Sequence, residues 1–286
     1  MKKVVSFSGG RTSAYLTIKA IKMFNGDVDV VCMDTGAEHP KTYDFIKRFS
    51  KYIKTMYRLD ITFLRTDFSS PLGEGNSYFD VGVNGIGPDI KPFKEMVKKY
   101  GVPYIGGMFC TDRMKLVPFT KYCQEKYGRG NYEAWLGIRA DEPKRLNPKK
   151  GIRYLAEISD FEKSDILDYW SKMPFDLEIP EQLGNCVFCP KKSNLKLAAA
   201  QRDEPELYHE FLEMLYSDDV RHDNKTGHWS QMYRGKKSLE QVVAMFDGST
   251  GDEIKSRIRG AKMTETGSCS ESCEVFVCEA NQIDMF

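Results

Sequence analysis

The chain has 286 residues, 41% of them hydrophobic and 29% charged, which suits one large or two smaller globular domains with ample length to bury a core. Its 42 basic and 41 acidic residues leave a formal net charge of +1, so no global field recruits nucleic acid and any such binding needs a local patch. No uninterrupted apolar stretch reaches membrane-spanning length, and Met1-Lys2-Lys3-Val4 runs straight into a strand, too short for a signal peptide; a cytoplasmic protein without membrane contact is expected.

Apolar runs at Val4–Phe7, Val28–Met33, Ile61–Leu64, Tyr132–Ile138 and Ile152–Ile158 read as buried strands. Helical patterns lie between several of them, around Ala14–Met23, Thr42–Ile53 and Phe93–Tyr100. This alternation predicts an α/β fold over residues 1–172, a Rossmann-like parallel sheet with helices on both faces. Residues 66–91, rich in glycine, serine and asparagine, read as a long flexible loop and a candidate lid. After Trp170 the alternation stops. Residues 173–286 read as a smaller, Cys-containing, mainly helical C-terminal region, with helices around Leu195–Gln201, Pro205–Tyr216 and Leu239–Phe246 and a polar tail from Gly248.

Ligands of parallel sheets bind beyond the carboxyl ends of the strands, and the informative motifs fall there. The first is Ser6-Phe7-Ser8-Gly9-Gly10-Arg11-Thr12-Ser13, a strand turning through two glycines into a helix. Such a turn aims free backbone N–H groups and the positive helix end at one spot, a ready anion site. Gly9 and Gly10 allow close phosphate approach, and Ser8 and Ser13 can add hydroxyl donors. The plainer reading is a tight turn with a Ser cap. Neither the Walker pattern nor Gly-x-Gly-x-x-Gly occurs in this turn. At the second strand's end, Asp34-Thr35 precedes Gly36-Ala37-Glu38-His39-Pro40, and Asp34 can orient a ribose, a metal or a loop amide. The alternative is a strand-end turn in which Thr42 caps the next helix and His39 is a solvated turn residue. Arg139 and Arg145 follow the Leu136-Gly137-Ile138 strand end as candidate anion clamps, since a guanidinium fork matches two oxygens. Asp141 and Glu142 beside them also allow a surface charge cluster.

Eight cysteines in a cytoplasmic chain argue for metal, cluster or redox use rather than disulfides. Cys32 and Cys123 sit in apolar patterns and read as core thiols. Cys186-Val187-Phe188-Cys189-Pro190 is a ligand knuckle, open to a redox dithiol, a structural zinc or an iron–sulfur cluster. Cys269, Cys273 and Cys278 in the tail can complete either metal site.

The Ser6–Ser13 turn resembles the PP-loop, Ser-Gly-Gly-x-x-Ser, of the adenine nucleotide α-hydrolase-like superfamily, and the ordered motifs resemble the phosphoadenosine phosphosulfate reductase family with its sulfur-transfer relatives. The resemblance implies that Ser8, Gly9, Gly10, Arg11, Thr12 and Ser13, with Asp34 and Thr35, bind ATP or another adenine nucleotide, with Mg2+ as an accompanying ion. Phe109-Cys110-Thr111-Asp112-Arg113-Met114-Lys115 to Pro118 matches the segment in which the family places a cluster cysteine and a lysine between cluster and nucleotide, so Cys110 becomes a ligand and Lys115 catalytic. Gly137-Ile138-Arg139 to Arg145 resembles the family's Gly-x-Arg-x-x-Glu-Ser-x-x-Arg, with Pro143 in place of Ser and Arg145 one position early. A [4Fe–4S] cluster on Cys110, Cys186 and Cys189 with Cys273 as fourth ligand is thereby implied, zinc being the alternative.

The function expected is ATP α-phosphate chemistry, with Lys115, Arg139 and Arg145 catalytic, coupled to cluster-dependent sulfur transfer. A nucleic-acid or nucleotide acceptor and a sulfur donor protein are implied partners, and a homo-oligomer is allowed. The first alternative is a thiol-dependent sulfonucleotide reductase, although the family's C-terminal Glu-Cys-Gly-Leu/Ile-His nucleophile segment is missing here. The second is a non-catalytic nucleotide-binding subunit of a nucleic-acid-modifying complex.

Overall fold

The computed structural model describes residues 1–107, 109–221 and 237–260. At its centre lie β1 (Lys2–Ser6), β2 (Val28–Met33), β3 (Ile61–Asp67), β4 (Ser77–Asp80), β5 (Tyr132–Leu136) and β6 (Ile152–Tyr154) in one sheet of order β4-β3-β2-β1-β5-β6. Pairing is parallel except for the edge strand β4, which runs antiparallel to β3. The expected α/β architecture is present.

Successive strand residues point to opposite faces, and here both faces are buried. Val5, Val30, Cys32, Phe63 and Trp135 pack on one side with Leu16 of α1 (Arg11–Met23), Phe45 and Phe49 of α2 (Pro40–Tyr57) and Trp170 of α7 (Lys163–Ser171). Val4, Val31, Met33, Leu64 and Ala134 pack on the other with Phe119, Tyr122 and Cys123 of α6 (Val117–Tyr127). Cys32 and Cys123 are therefore core thiols, and burial pushes the ionisation of both well up.

The strand order also positions the site. The chain leaves β1 toward β2 and β3 on one side and returns to its other flank for β5 and β6. Connections therefore diverge between β1 and β5, and a crevice opens at their carboxyl ends.

Residues 66–91 do not form the expected structureless lid. β4 pairs with β3, Gly82–Gly85 makes the short helix α3, and α4 (Lys91–Tyr100) begins at the segment's end. Asn76, nearly fully buried, accepts from Lys99 Nζ (2.9 Å) and the Tyr100 hydroxyl (3.0 Å) and donates to the Arg113 carbonyl (3.2 Å). Pairing and a buried amide hold a stretch whose composition alone suggests freedom.

The C-terminal helices α8 (Asn194–Asp203), α9 (Pro205–Leu215), α10 (Leu239–Ala244) and α11 (Gly251–Gly260) follow the last strand. Val187, Phe188, Leu197, Phe211 and Val242 bury themselves with Phe93, Met96, Val97 and Met114, so part of this region shares a core with residues 93–114. Phe175 and Leu177, just past residue 172, belong to the sheet's own cluster. Among the described residues no helix is long and apolar enough to cross a membrane.

Glu181 fastens the lead-in to the cysteine knuckle, accepting from Lys196 Nζ on α8 (3.0 Å) and Lys163 Nζ on α7 (3.1 Å). Burial works against the ionised carboxyl, but the two lysines outweigh it and hold Glu181 near a pKa of about 2, against an ordinary 4.5. A depressed acid stabilises the fold above its ordinary value and loses that contribution as pH falls through the folded one. Glu181→Gln should cost about 1–2 kcal/mol at pH 7 after solvent screening of this partly exposed pair. Urea unfolding across a pH series should show the difference from wild type shrinking between pH 4.5 and about 2.

Candidate nucleotide and thiol site

The turn from β1 to α1 carries Gly9 at φ +81°, and Gly10 occupies the helix N-cap without offering a side-chain bond. The N–H groups of Arg11, Thr12 and Ser13 head the helix, where no intrahelical acceptor exists. The serine hydroxyls act on the turn itself: Ser8 Oγ donates to Ser13 Oγ (2.9 Å), and Ser13 Oγ donates to the Gly10 carbonyl (3.0 Å). Arg11 contributes its backbone to the turn, while its guanidinium grips Asp176 (2.6 and 3.0 Å) and the Leu177 carbonyl. The Trp170 indole N–H donates to the Arg11 carbonyl (3.0 Å), so α7 braces the loop from behind.

Arg139 arrives from the β5 side. Its Nη1 donates to Thr12 Oγ1 (3.2 Å), while Nε and Nη2 bind Asp141 (2.8 and 3.2 Å). The glycine turn and this arginine therefore meet across the switch point. Arg145 pairs with Glu142, so both predicted clamps stand in contact with carboxylates.

The helix α2 lies against the turn. A Cβ on Gly9 would stand 2.7 Å from Ile46 Cδ1 and 3.4 Å from Thr42 Cγ2. His39, not Thr42, caps α2: the His39 Nδ1 accepts from the Lys41 N–H (3.1 Å), and its Nε2 meets Glu204 (2.9 Å). His39 is buried rather than solvated. Thr42, placed inside the first turn, has a buried hydroxyl with no hydrogen-bond partner among the described residues.

A cleft opens beside the β2 end, lined by Thr35, Glu38, Cys110, Thr111, Lys115, Cys186 and Cys189 among others. The three cysteines and the lysine singled out in sequence are thus brought together. Cys110 and Lys115 belong to one helical stretch, α5 (Phe109–Thr111) followed by a π-turn at Asp112–Leu116 and then α6. Pro118 has no N–H for the Met114 carbonyl, and the Val117 N–H reaches back to Asp112. The released carbonyls find donors elsewhere: Thr66 Oγ1 bonds Met114 (2.9 Å) and Asn76 bonds Arg113 (3.2 Å).

The knuckle is held on three sides. Asn185, in the left-handed region at φ +59°, turns the chain into it. The Val187 N–H donates to the Ala37 carbonyl (3.1 Å), and buried Lys192 donates to the Gln182 (2.6 Å) and Val187 (2.8 Å) carbonyls. Burial, with Cys189 and Glu38 nearby, pushes the Cys186 thiol up, and Lys192 and Lys115 oppose it. Among the described residues no three His, Cys, Asp or Glu side chains converge on a single metal ion. Cys269, Cys273 and Cys278 lie outside the described residues.

Two residues that sequence reasoning missed organise this edge. Arg65 Nε donates to Asp34 Oδ2 (2.7 Å), and Asp34 Oδ1 accepts from the Gly36 N–H (3.0 Å) and the Tyr43 hydroxyl (2.9 Å). Asp34 is therefore a buried anchor of the strand-end loop. Burial and nearby Glu38 push its carboxyl up, against the pull of Arg65. Gly36, at φ +76°, passes so close to the Asp89 carbonyl that a Cβ would lie 1.9 Å from its oxygen. Glu38 joins Thr35, Tyr43 and Lys115. Its only sequence signal is its position between Gly36 and His39 in the strand-end segment.

A parallel sheet wound on both faces, with a glycine turn entering an uncapped helix at its switch point, defines an α/β protein of the nucleotide-binding class. Residues 2–72 match the phosphoadenosine phosphosulfate reductase domain family, and the chain belongs to that family within the PP-loop superfamily. It is 50% identical over 281 residues to an uncharacterized nin region protein of Escherichia phage lambda, covering 96% of each chain. Two uncharacterized proteins of Methanocaldococcus jannaschii are each 25% identical to it, over 234 and 224 residues. Those alignments cover 77% and 73% of this chain but 42% and 46% of the archaeal ones, so the chain spans less than half their length.

Gly9→Ala should destabilise the fold by about 1–3 kcal/mol, since a Cβ there is strained in φ and pressed against Ile46. Urea unfolding of the variant against wild type checks it.

Proposed function

We propose that this protein binds ATP through the Ser8–Ser13 turn and carries out α-phosphate chemistry coupled to iron–sulfur-dependent sulfur transfer. The observation that carries the reading is the convergence of Cys110, Cys186 and Cys189, from segments far apart in sequence, on one cleft with Lys115.

The nucleotide side fits its ligand. Gly9 gives the turn a left-handed bend that packs close against α2, α1 begins without a side-chain cap, and Thr42 holds a buried hydroxyl that a ligand oxygen would satisfy. The amides heading α1 and the Arg139 guanidinium would hold the phosphates and offset charge that builds as an acceptor oxygen bonds to the α-phosphorus and pyrophosphate departs. That step turns an acceptor oxygen, a poor leaving group, into an adenylate. Asp141 would yield part of the Arg139 fork to the phosphates.

The thiol side fits a cluster by donor chemistry: three cysteine sulfurs line one cleft, and Cys273, outside the described residues, would be the fourth ligand. A [4Fe–4S] cluster there would supply sulfur-ligated iron for the transfer. Lys115 would place a cation between that cleft and the nucleotide. The acceptor is a nucleic acid or a nucleotide.

Anaerobic purification should give brown protein with about four irons and four sulfides per chain, and Cys110→Ser should lose at least half the iron while ATP binding survives. ATP supplied with bulk tRNA or duplex DNA should release pyrophosphate. Stoichiometric zinc without iron, or orthophosphate release alone, would overturn the reading; sulfite formed from a phosphosulfate nucleotide would identify a reductase instead.

A further inference from the structure

Glu38 stands where the thiol cleft meets the edge of the sheet. Its Oε2 accepts from Thr35 Oγ1 (2.7 Å) and the Tyr43 hydroxyl (2.9 Å), and its Oε1 lies 3.5 Å from Lys115 Nζ. The carboxylate thus gathers groups from the β2 exit, from α2 and from the π-turn. Glu38 and Lys115 side chains are only 10% and 11% exposed, so bulk water is a poor substitute for either partner. The Glu38 backbone forms an antiparallel bridge with Cys186, and the carbonyl of the preceding residue, Ala37, takes the Val187 N–H. One residue therefore touches the knuckle through its main chain and the lysine through its side chain.

The two ends of this contact differ in freedom. Glu38 is fixed from behind, because Tyr43 also bonds Asp34 and Asp34 is locked by Arg65. Lys115 carries a flexible four-carbon stem with a point charge and several rotamers of similar energy. A fixed carboxylate facing a flexible ammonium selects one placement of that ammonium. The carboxylate's neutral donors, Thr35 and Tyr43, occupy one oxygen and leave the other turned to the lysine.

We propose that Glu38 is a positioning residue that holds the Lys115 ammonium at the thiol cleft, an assignment that rests on the reading of this cleft as the sulfur-transfer site. Glu38 touches no reacting group and acts through Lys115.

Glu38→Gln keeps an oxygen for Thr35 and Tyr43 and removes the charge. Pulse acetylation of the full chain with acetic anhydride, read lysine by lysine by mass spectrometry, should show Lys115 modified at least threefold faster in E38Q, with Lys163 and Lys196 unchanged. Equal Lys115 labelling in the two proteins would overturn the proposal. Should E38Q fail to fold, Glu38→Asp, one methylene too short for the contact, is read in the same way. In pyrophosphate release, E38Q should lower kcat at least tenfold with the Kd for ATP unchanged, and E38Q/K115M should be no slower than K115M alone. Fully additive losses would refute it. A wild-type protein that releases no pyrophosphate defeats the proposed function, and the labelling result still decides the role of Glu38.

Discussion

The parallel pairing of β1 with a neighbour on each side governs the ligand edge. Parallel strands cannot be joined by tight hairpins, so each connection must cross a face of the sheet before returning. Here those crossovers depart in opposite directions from β1, with β2 registered on one side and β5 on the other. The gap this leaves receives the glycine turn from one strand and Arg139 from the other, and the bond from Arg139 to Thr12 closes it. Neither the turn nor the arginine would be a site alone. Their meeting follows from strand order.

The thiol cleft is assembled differently. Its cysteines come from an interrupted helix and from a knuckle that has no regular secondary structure of its own. What places the knuckle is apolar: Val187 and Phe188 are buried in one cluster with Phe93 of α4 and Phe211 of α9, the Phe188 ring meeting that of Phe211, so the cysteines on either side of them are carried to the β2 end. The C-terminal helices act as a press that holds a ligand loop against the sheet. The buried Lys192, bonded to two carbonyls of that loop, fixes its curvature from inside.

Much of this was legible in the sequence because burial on both faces writes strands as continuous apolar runs. Val28–Met33 was found with its bounds intact, and the other parallel strands to within a few residues. β4 was not, since Ser77–Asp80 sits at an edge among glycines, where pairing with β3 replaces apolar content as the cause of order. The Cys186–Cys189 knuckle is announced by its spacing, whereas Cys110 and Lys115 stand out only through the family resemblance, since residue type alone reads Lys115 as part of a solvated helix face. Arg11 was assigned to the ligand by its place in the loop, and nothing local betrays Asp176, 165 positions away, as the partner of its side chain. Glu38 and Arg65 escaped for the same reason: single charged residues acquire meaning only from what the fold sets opposite them. His39 shows the reverse case, a residue type associated with proton transfer used as a buried helix cap.

The π-turn at Asp112–Leu116 has a consequence for how one rod can serve two surfaces. Each residue of a regular helix advances about 100° around the axis, so a single additional residue rotates everything before it by roughly that angle relative to everything after. Beyond the turn, Phe119, Tyr122 and Cys123 are committed to the underside of the sheet. Ahead of it, Cys110 and Thr111 face the cleft. An uninterrupted winding would tie those two orientations together, and any drift in core packing would swing the thiol. The local unwinding acts as a universal joint, and Thr66 and Asn76, by claiming the stranded carbonyls, lock it at one setting.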